Sequence, residues 1–304
     1  MAAGRQWTVS PFSPSLHARG VLKLWSAISG FDGSVPARTE GELDLLLAHP
    51  STEGARSWRV VVAGNDAVVG VLELRFIGTL RTELCIAVNP AWRRQGIGRA
   101  LLAEVPAKKR LLTSSRKSHE GATAFLHAMG FSERWRDARL RRGAEPLEAS
   151  KLPSWASLDE DLRRDAARLR RVAAQALAPE ETDELELEAL LQRPGVRVLY
   201  LRTPDGDQGV LVTGPLERAK KAERDGDGQP TVGALERIGL AKPCRGRGLS
   251  RPFLRAGLRQ LLTEGYAALE VIADGRREQA VDLYRREGFD AVDEEIRWIR
   301  RDDG

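Results

Sequence analysis

The sequence predicts an α/β chain built as two copies of one mixed helix-and-strand domain. Three observations lead there. A strand-like run, a glycine turn and an apolar helix follow one another twice, around Pro90 to Gly98 and around Pro243 to Ser250. A helix pattern ends on Gly-Phe in both halves, at Gly130-Phe131 and Gly288-Phe289. Between the halves periodicity fades across Gly143, Pro146 and Pro153, which predicts a domain at 1–143, a linker at 144–156 and a domain at 157–304.

Trp7 opens a short strand over 7–10, stopped by Pro11 and Pro14. Helical periodicity runs over 16–28 and again over 40–47, with Glu42 and Asp44 near the second start. Residues 58–63 and 68–76 are β-rich, and Gly64-Asn65-Asp66 between them reads as a hairpin turn. A strand over 83–88 halts at Pro90, and Arg93-Arg94-Gln95-Gly96-Ile97-Gly98 leads into a short helix over 99–105, cut by Pro106. A strand at 111–113, a helix over 122–129 and a strand over 135–140 complete the first half.

The second half begins with helix patterns over 159–177 and 180–191, the first capped by Asp159 or Ser157. A hairpin joins 196–201 to 209–213 across Pro204-Asp205-Gly206-Asp207, and the polar run 220–230 reads as a loop. A strand over 235–241 ends near Pro243, and the turn through Ser250 opens a helix over 251–262. A strand over 268–273, a helix over 279–286 and a strand over 295–300 follow. Aligning Pro90 with Pro243 sets Glu83 opposite Glu236. Past a one-residue deletion, Arg93, Gly96 and Gly98 fall opposite Arg245, Gly248 and Ser250. With one strand left after Phe289, the second domain must borrow or lack its final strand.

Composition is that of an ordinary globular protein, 42% hydrophobic and 30% charged over 304 residues. No apolar run approaches the roughly 20 residues that span a bilayer, and the first residues lack a signal-peptide core. The two cysteines, Cys85 and Cys244, argue against a disulfide framework or a structural zinc site. A cytoplasmic protein, with no metal and no membrane partner, is the expectation. Residues 1–150 carry 21 Lys+Arg against 14 Asp+Glu, and the remainder 27 against 29. The arginines of the basic half are scattered through strand-like runs with no aromatic-basic motif. They read as a solvated surface, not a nucleic-acid site.

Val88-Asn89-Pro90 leading to Arg93-x-x-Gly96-x-Gly98 resembles the signature of the GNAT (Gcn5-related N-acetyltransferase) superfamily, R/Q-x-x-G-x-G/A after a V-x-P-like strand end. Ala241-Lys242-Pro243 leading to Arg245-x-x-Gly248-x-Ser250 is a looser second copy. The later motif of the superfamily, A-x-x-L-Y-x-x-x-G-F, is matched from Ala280 through Leu283-Tyr284 to Gly288-Phe289. The resemblance implies two tandem GNAT folds, each a mixed, mostly antiparallel central sheet flanked by helices. The layout is similar to two-domain members whose C-terminal half does the chemistry. The chain departs from the pattern at Leu126, which stands where the second copy has Tyr284. It departs again at Arg277, where an asparagine is usual.

The resemblance further implies acetyl-CoA as co-substrate. Its pyrophosphate would lie on the backbone N–H groups of Arg245, Gly246, Arg247, Gly248, Leu249, Ser250 and Arg251 at a helix N-terminus. Leu240, Ala241 and Lys242 would hold pantetheine and thioester, an N–H near Ala241 stabilising the oxyanion. Ala87, Val88, Arg93, Arg94, Gln95, Gly96, Ile97, Gly98 and Arg99 are the corresponding set in the first copy. An attacking amine must be neutral, so a base is needed, and the leaving thiolate needs a proton. His17, His49, His119 and His127 all lie in the first half. Unless the first domain supplies a histidine, the resemblance implies Glu236 as the candidate base, since the family often carries its base on the strand before the proline, and Tyr284, inside the matched motif, as the candidate acid. Glu236 could instead face outward on a half-exposed strand, and Tyr284 could be a packed aromatic. Cys244 has no histidine nearby and reads as a turn residue, Cys85 as a small core residue, and His119 and His127 as surface or satisfied groups. With Leu126 in place of a tyrosine, the first copy reads as degenerate, binding CoA or only buttressing its partner.

The function expected is acetyl-CoA-dependent N-acetylation of a primary amine on a small molecule by direct attack in the second domain. The alternative is a catalytically silent CoA-binding sensor or scaffold. The acidic segment 180–188 would suit a cationic acceptor, with an aminosugar, an amino acid, a polyamine and a peptide N-terminus all open.

Overall fold

The computed structural model describes residues 6–48, 52–77, 81–106, 110–148, 150–177, 184–216 and 231–301. The chain divides into two compact units, and the division is not the one expected from composition. Unit 1 takes Met1–Asp137 together with Asp293–Gly304, and unit 2 takes Ala138–Glu217 with Ala222–Val292. The boundary therefore falls inside a strand at Asp137/Ala138 and not at a linker over 144–156. The polar run 220–230 and His49 lie outside the described residues, as does the start of the acidic segment before Glu184.

Unit 1 opens with β1 (Trp7–Pro11) and helix α1 (Pro14–Phe31). Pro14 starts the helix instead of merely stopping the strand, because the first helical N–H needs no partner and proline's fixed φ suits that position. Helix α2 (Glu40–Ala48) carries a reciprocal cap: Thr39 N donates to Glu42 Oε2 at 2.7 Å and Glu42 N to Thr39 Oγ1 at 3.3 Å. Strands β2 (Trp58–Ala63), β3 (Val68–Ile77) and β4 (Arg81–Val88) form an antiparallel meander. Helix α3 (Ile97–Ala103), β5 (Arg110–Arg116), helix α4 (Glu120–Ala128) and β6 (Ser132–Gly143) follow.

The last strand of the chain, β12 (Asp290–Arg300), pairs antiparallel with β5 from Glu295↔Arg116 to Arg300↔Leu111 and so completes unit 1. Its Trp298 is 1% exposed, with Nε1 donating to Ser115 Oγ at 2.9 Å. Deleting a buried side chain of that size costs about 3–5 kcal/mol, so the pairing is firmly anchored. α1 and α2 bury Trp25, Ile28 and Leu43 with Trp58 and Val60. Ile97 and Leu101 of α3 and Leu126 of α4 share a second cluster with Leu72, Ile296 and Trp298.

Unit 2 begins with the second half of β6, from Ala138. That half supplies the final strand which unit 2 gives up in β12. The predicted helix over 159–177 is shorter. Residues Ser157–Glu160 form an edge strand, β7, paired antiparallel with β8 (Arg197–Thr203), and helix α5 occupies only Ala166–Ala176. The cap is Asp165, whose side chain accepts from Arg168 N at 2.9 Å, and not Asp159 or Ser157. Strand pairing of Leu158 and its neighbours outweighs their helical spacing. Helix α6 (Glu184–Gln192), β9 (Gly206–Pro215), β10 (Val232–Leu240), helix α7 (Ser250–Thr263), β11 (Ala268–Asp274) and helix α8 (Glu278–Arg286) complete the unit. Its strand order is β6-β11-β10-β9-β8-β7. Phe253, Leu254 and Leu258 of α7 pack with Val281, Tyr284 and Phe289 around α8. Leu169, Val172 and Ala173 of α5 pack with Tyr200 and Val210.

Each unit is thus a mixed, mostly antiparallel sheet flanked by helices. The described residues contain no helix long and apolar enough to cross a membrane.

Candidate active site

In unit 2 the parallel pairing of β10 with β11 runs from Val232↔Ala268 to Leu235↔Val271, while the antiparallel pairing of β10 with β9 continues to Leu240↔Gly209. The register with β9 shifts between Leu235 and Arg237, so Glu236 is the extra residue of a bulge. Bulges turn a strand and re-aim the side chain at that point. Beyond Leu235, β10 therefore offers main-chain groups on its β11 side to an extended ligand, which could add like a strand.

The N–H expected as oxyanion donor is in use: Ala241 N donates to Gln208 O at 2.7 Å. Neighbouring residues of a strand point their N–H groups to opposite edges, so the one facing away from β9 is that of Leu240. The Leu240 carbonyl already accepts Arg245 Nε at 2.9 Å.

After a 3-10 turn at Lys242–Cys244, Gly246 and Gly248 take φ of +72° and +75°. Both conformations favour glycine, and nothing lies within 4 Å of where a Cβ would stand at either. α7 then starts at Ser250, runs for 14 residues and has no side-chain cap. Its first N–H groups and its dipole suit a phosphate.

The side chains divide differently. Arg245 ties the turn to the protein, through Leu240 O and through Ala176 O at 3.5 Å. Arg251 Nε binds Glu287 Oε1 at 2.5 Å. Glu236 Oε1 accepts from Arg193 Nη2 at 2.9 Å. Tyr284 is 5% exposed on α8, its ring edge-on to Phe289 with centroids 5.8 Å apart. Cys244 ends the 3-10 turn yet is 3% exposed and belongs to the core cluster.

Unit 1 repeats the scheme with differences. β4 and β5 are parallel from Arg81↔Arg110 to Glu83↔Leu112, but the β3–β4 register is unbroken. Glu83 is therefore not the counterpart of Glu236, which occupies a bulge that β4 lacks. The turn matches the second copy: Arg94 and Gly96 have φ of 64° and 81°, and Arg93 Nε donates to Val88 O at 3.2 Å as Arg245 does to Leu240 O. Arg93 and Arg245 are thus turn fasteners. A non-glycine residue in Arg94's conformation costs about 1–2 kcal/mol.

Arg93 Nη1 also pairs with Asp32 Oδ2 at 2.6 Å, which sets a carboxylate beside the turn. α3 has only 7 residues. Ala87 is buried, and Gly98 lets Phe125 approach to 3.3 Å of its would-be Cβ. Cys85 is exposed, because it alternates with the inward Leu84 and so is not a core residue. His17 accepts from Ser13 N at 2.9 Å, and His127 packs edge-on to Trp298 at 4.7 Å.

His119 is held below its ordinary value of 6.5, burial outweighing the opposing attraction of Asp32. The unfolded chain then takes up this proton more readily than the folded one. Stability from the neutral imidazole is complete above about pH 6.5 and declines as pH falls below it. Melting temperatures between about pH 8 and 5 should decline less steeply in His119→Gln. An unaltered profile would exclude His119 as the source.

Residues 56–133, wholly in unit 1, match the Acetyltransferase (GNAT) domain family model. Mycothiol acetyltransferase of Rhodococcus erythropolis is 26% identical over 97% of this chain and 99% of its own length. The mycothiol acetyltransferase of Corynebacterium glutamicum strain ATCC 13032 is 27% identical over 91% of this chain and 90% of its own. A GNAT domain in the first copy and mycothiol acetyltransferases matched over most of the chain support an acyltransferase. Among solved structures, a tandem GNAT protein from the clavulanic acid biosynthesis pathway superposes with a TM-score of 0.72 over 97% of this chain and 98% of that one, at 16% identity. A GCN5-related N-acetyltransferase from Sphaerobacter thermophilus gives a TM-score of 0.64 over 99% and 97%, also at 16% identity. Both share the fold of this chain over nearly its whole length, and the first of them is a tandem GNAT protein. The family model falls on the first copy of this acyltransferase, where the glycine signature is cleaner. The open strand pair, the long helix and the tyrosine belong to the second.

Proposed function

We propose that unit 2 transfers the acetyl group of acetyl-CoA to a primary amine of a small molecule by direct attack on the thioester. The observation that carries this is β10 parting from β11 after Leu235 just ahead of the glycine turn that opens α7, with Tyr284 of α8 in the same buried cluster as Leu235, Leu240 and Leu249. The N–H groups from Gly246 to Arg251 hold the pyrophosphate, and the edge of β10 holds pantetheine. The Leu240 N–H donates to the oxyanion as the carbonyl is attacked. Tyr284 donates its phenolic proton to the departing thiolate. Glu236, oriented by Arg193, draws the proton from the amine, directly or through a water.

The names of the curated relatives make a mycothiol precursor the first acceptor to try, ahead of other aminosugars, amino acids and polyamines. The Arg193–Glu236 pair also fits a silent CoA-binding scaffold, since an ion-paired glutamate needs no catalytic role. Incubation with acetyl-CoA and an amine panel, following release of free CoA thiol, separates the readings. A Cys85→Ser background removes the exposed protein thiol. CoA binding without turnover on any amine would leave the scaffold.

Glu236→Gln should lower turnover about 100-fold, and most at lower pH, where less of the amine is neutral. Wild-type rates across the pH range would remove Glu236 from the reaction.

A further inference from the structure

Three arginines line the turn of unit 2, and their N–H edges are not equally available. Arg245 spends its edge on the Leu240 and Ala176 carbonyls, and Arg251 spends Nε on Glu287. Arg247 forms no hydrogen bond or ion pair among the described residues. Instead its guanidinium carbon sits 4.6 Å from the ring centroid of Trp155.

Stacking on an aromatic face occupies the flat side of a guanidinium and leaves its in-plane N–H fork free. That fork matches a phosphate in bidentate fashion. Gly246 and Gly248 flank Arg247 with open space where side chains would stand, so a phosphate can reach it. Trp155 itself is 36% exposed, and the turn in which Ala156 N donates to Pro153 O at 2.9 Å holds it just before β7. In unit 1 the position of Arg247 is taken by Gln95, which has no charge to offer.

We propose that Trp155 is a positioning residue that holds Arg247 flat, and that Arg247 binds a phosphate of CoA through its free edge. This rests on the acetyl-CoA reading of unit 2. CoA carries two phosphate sources within reach of such a turn, the pyrophosphate and the 3′-phosphate of the ribose. The ligand chemistry is the same for both.

The test is calorimetric titration of the full chain with CoA and with 3′-dephospho-CoA, in wild type, Arg247→Gln, Trp155→Ala and Trp155→Phe. Arg247→Gln should weaken one class of CoA site about tenfold or more. Trp155→Ala should weaken it about three- to fivefold, with Trp155→Phe restoring binding to within about twofold of wild type. Weakening seen with CoA and absent with 3′-dephospho-CoA places Arg247 on the 3′-phosphate. Equal weakening with both places it on the pyrophosphate. If Trp155→Phe is as weak as Trp155→Ala, stacking is not what positions Arg247 and the proposal falls. If wild type binds CoA and neither Arg247→Gln nor Trp155→Ala changes the affinity, the clamp is overturned while the acetyl-CoA reading stands. If wild type binds neither ligand, that reading itself has failed.

Discussion

Tyr284→Phe should reduce turnover by about 100-fold or more while leaving affinity for acetyl-CoA close to wild type. The ring is 5% exposed and packs edge-on to Phe289, and phenylalanine keeps that packing. The substitution therefore removes the hydroxyl and keeps the ring. The proposed contacts to the nucleotide lie on the turn from Gly246 to Arg251, so binding should survive. Steady-state rates, CoA titration and a melting curve on the same variant separate the outcomes. Turnover equal to wild type would reduce Tyr284 to a core aromatic. A large fall in melting temperature would mean that its hydroxyl serves the fold.

The second large effect concerns stability. Glu287 closes α8 just before Gly288, its carboxylate wholly enclosed, and accepts from Arg251 Nε at 2.5 Å and Arg255 Nε at 2.6 Å. The Arg255 side chain is only 6% exposed, and its other contacts are the Glu148 carbonyl at 3.0 Å and carboxylate at 3.5 Å. Glu287→Ala leaves a buried guanidinium without its main counter-charge. Breaking a buried pair from one side costs about 3–5 kcal/mol. For a unit of this size that lowers the melting temperature by roughly 10 °C. Glu287→Met combined with Arg255→Met should recover much of the loss, because an apolar pair carries no stranded charge. A Glu287→Ala variant that melts like wild type would show that water or Glu148 suffices to solvate Arg255.

Tyr284 and the two turns were legible because each is a local requirement written at fixed spacing. Gly246, Gly248 and Gly96 stand where the chain needs positive φ, and Tyr284 and Phe289 stand at the interval that brings their rings together at a helix end. The fate of the arginines was not legible. Arg93, Arg245, Arg247 and Arg251 look alike in sequence, yet two fasten a turn to a strand end, one serves Glu287 and one stacks on Trp155. Long side chains choose partners by what the fold brings near. The oxyanion donor proposed is Leu240 and not Ala241 for a related reason: the continuing ladder to β9 claims the Ala241 N–H.

By itself the sequence determined the duplication, the helices with clear apolar spacing, the glycine turns and the motif around Tyr284. These depend on backbone dihedrals and on periodicity within a dozen residues. Only the tertiary structure decided that β6 divides between the units, that β12 completes unit 1, that residues 157–160 are a strand, and that Glu236 lies in a bulge. Strand pairing joins residues far apart in the chain, and its register is set by which apolar side chains are buried together. A linear reading of the strands does not contain that information.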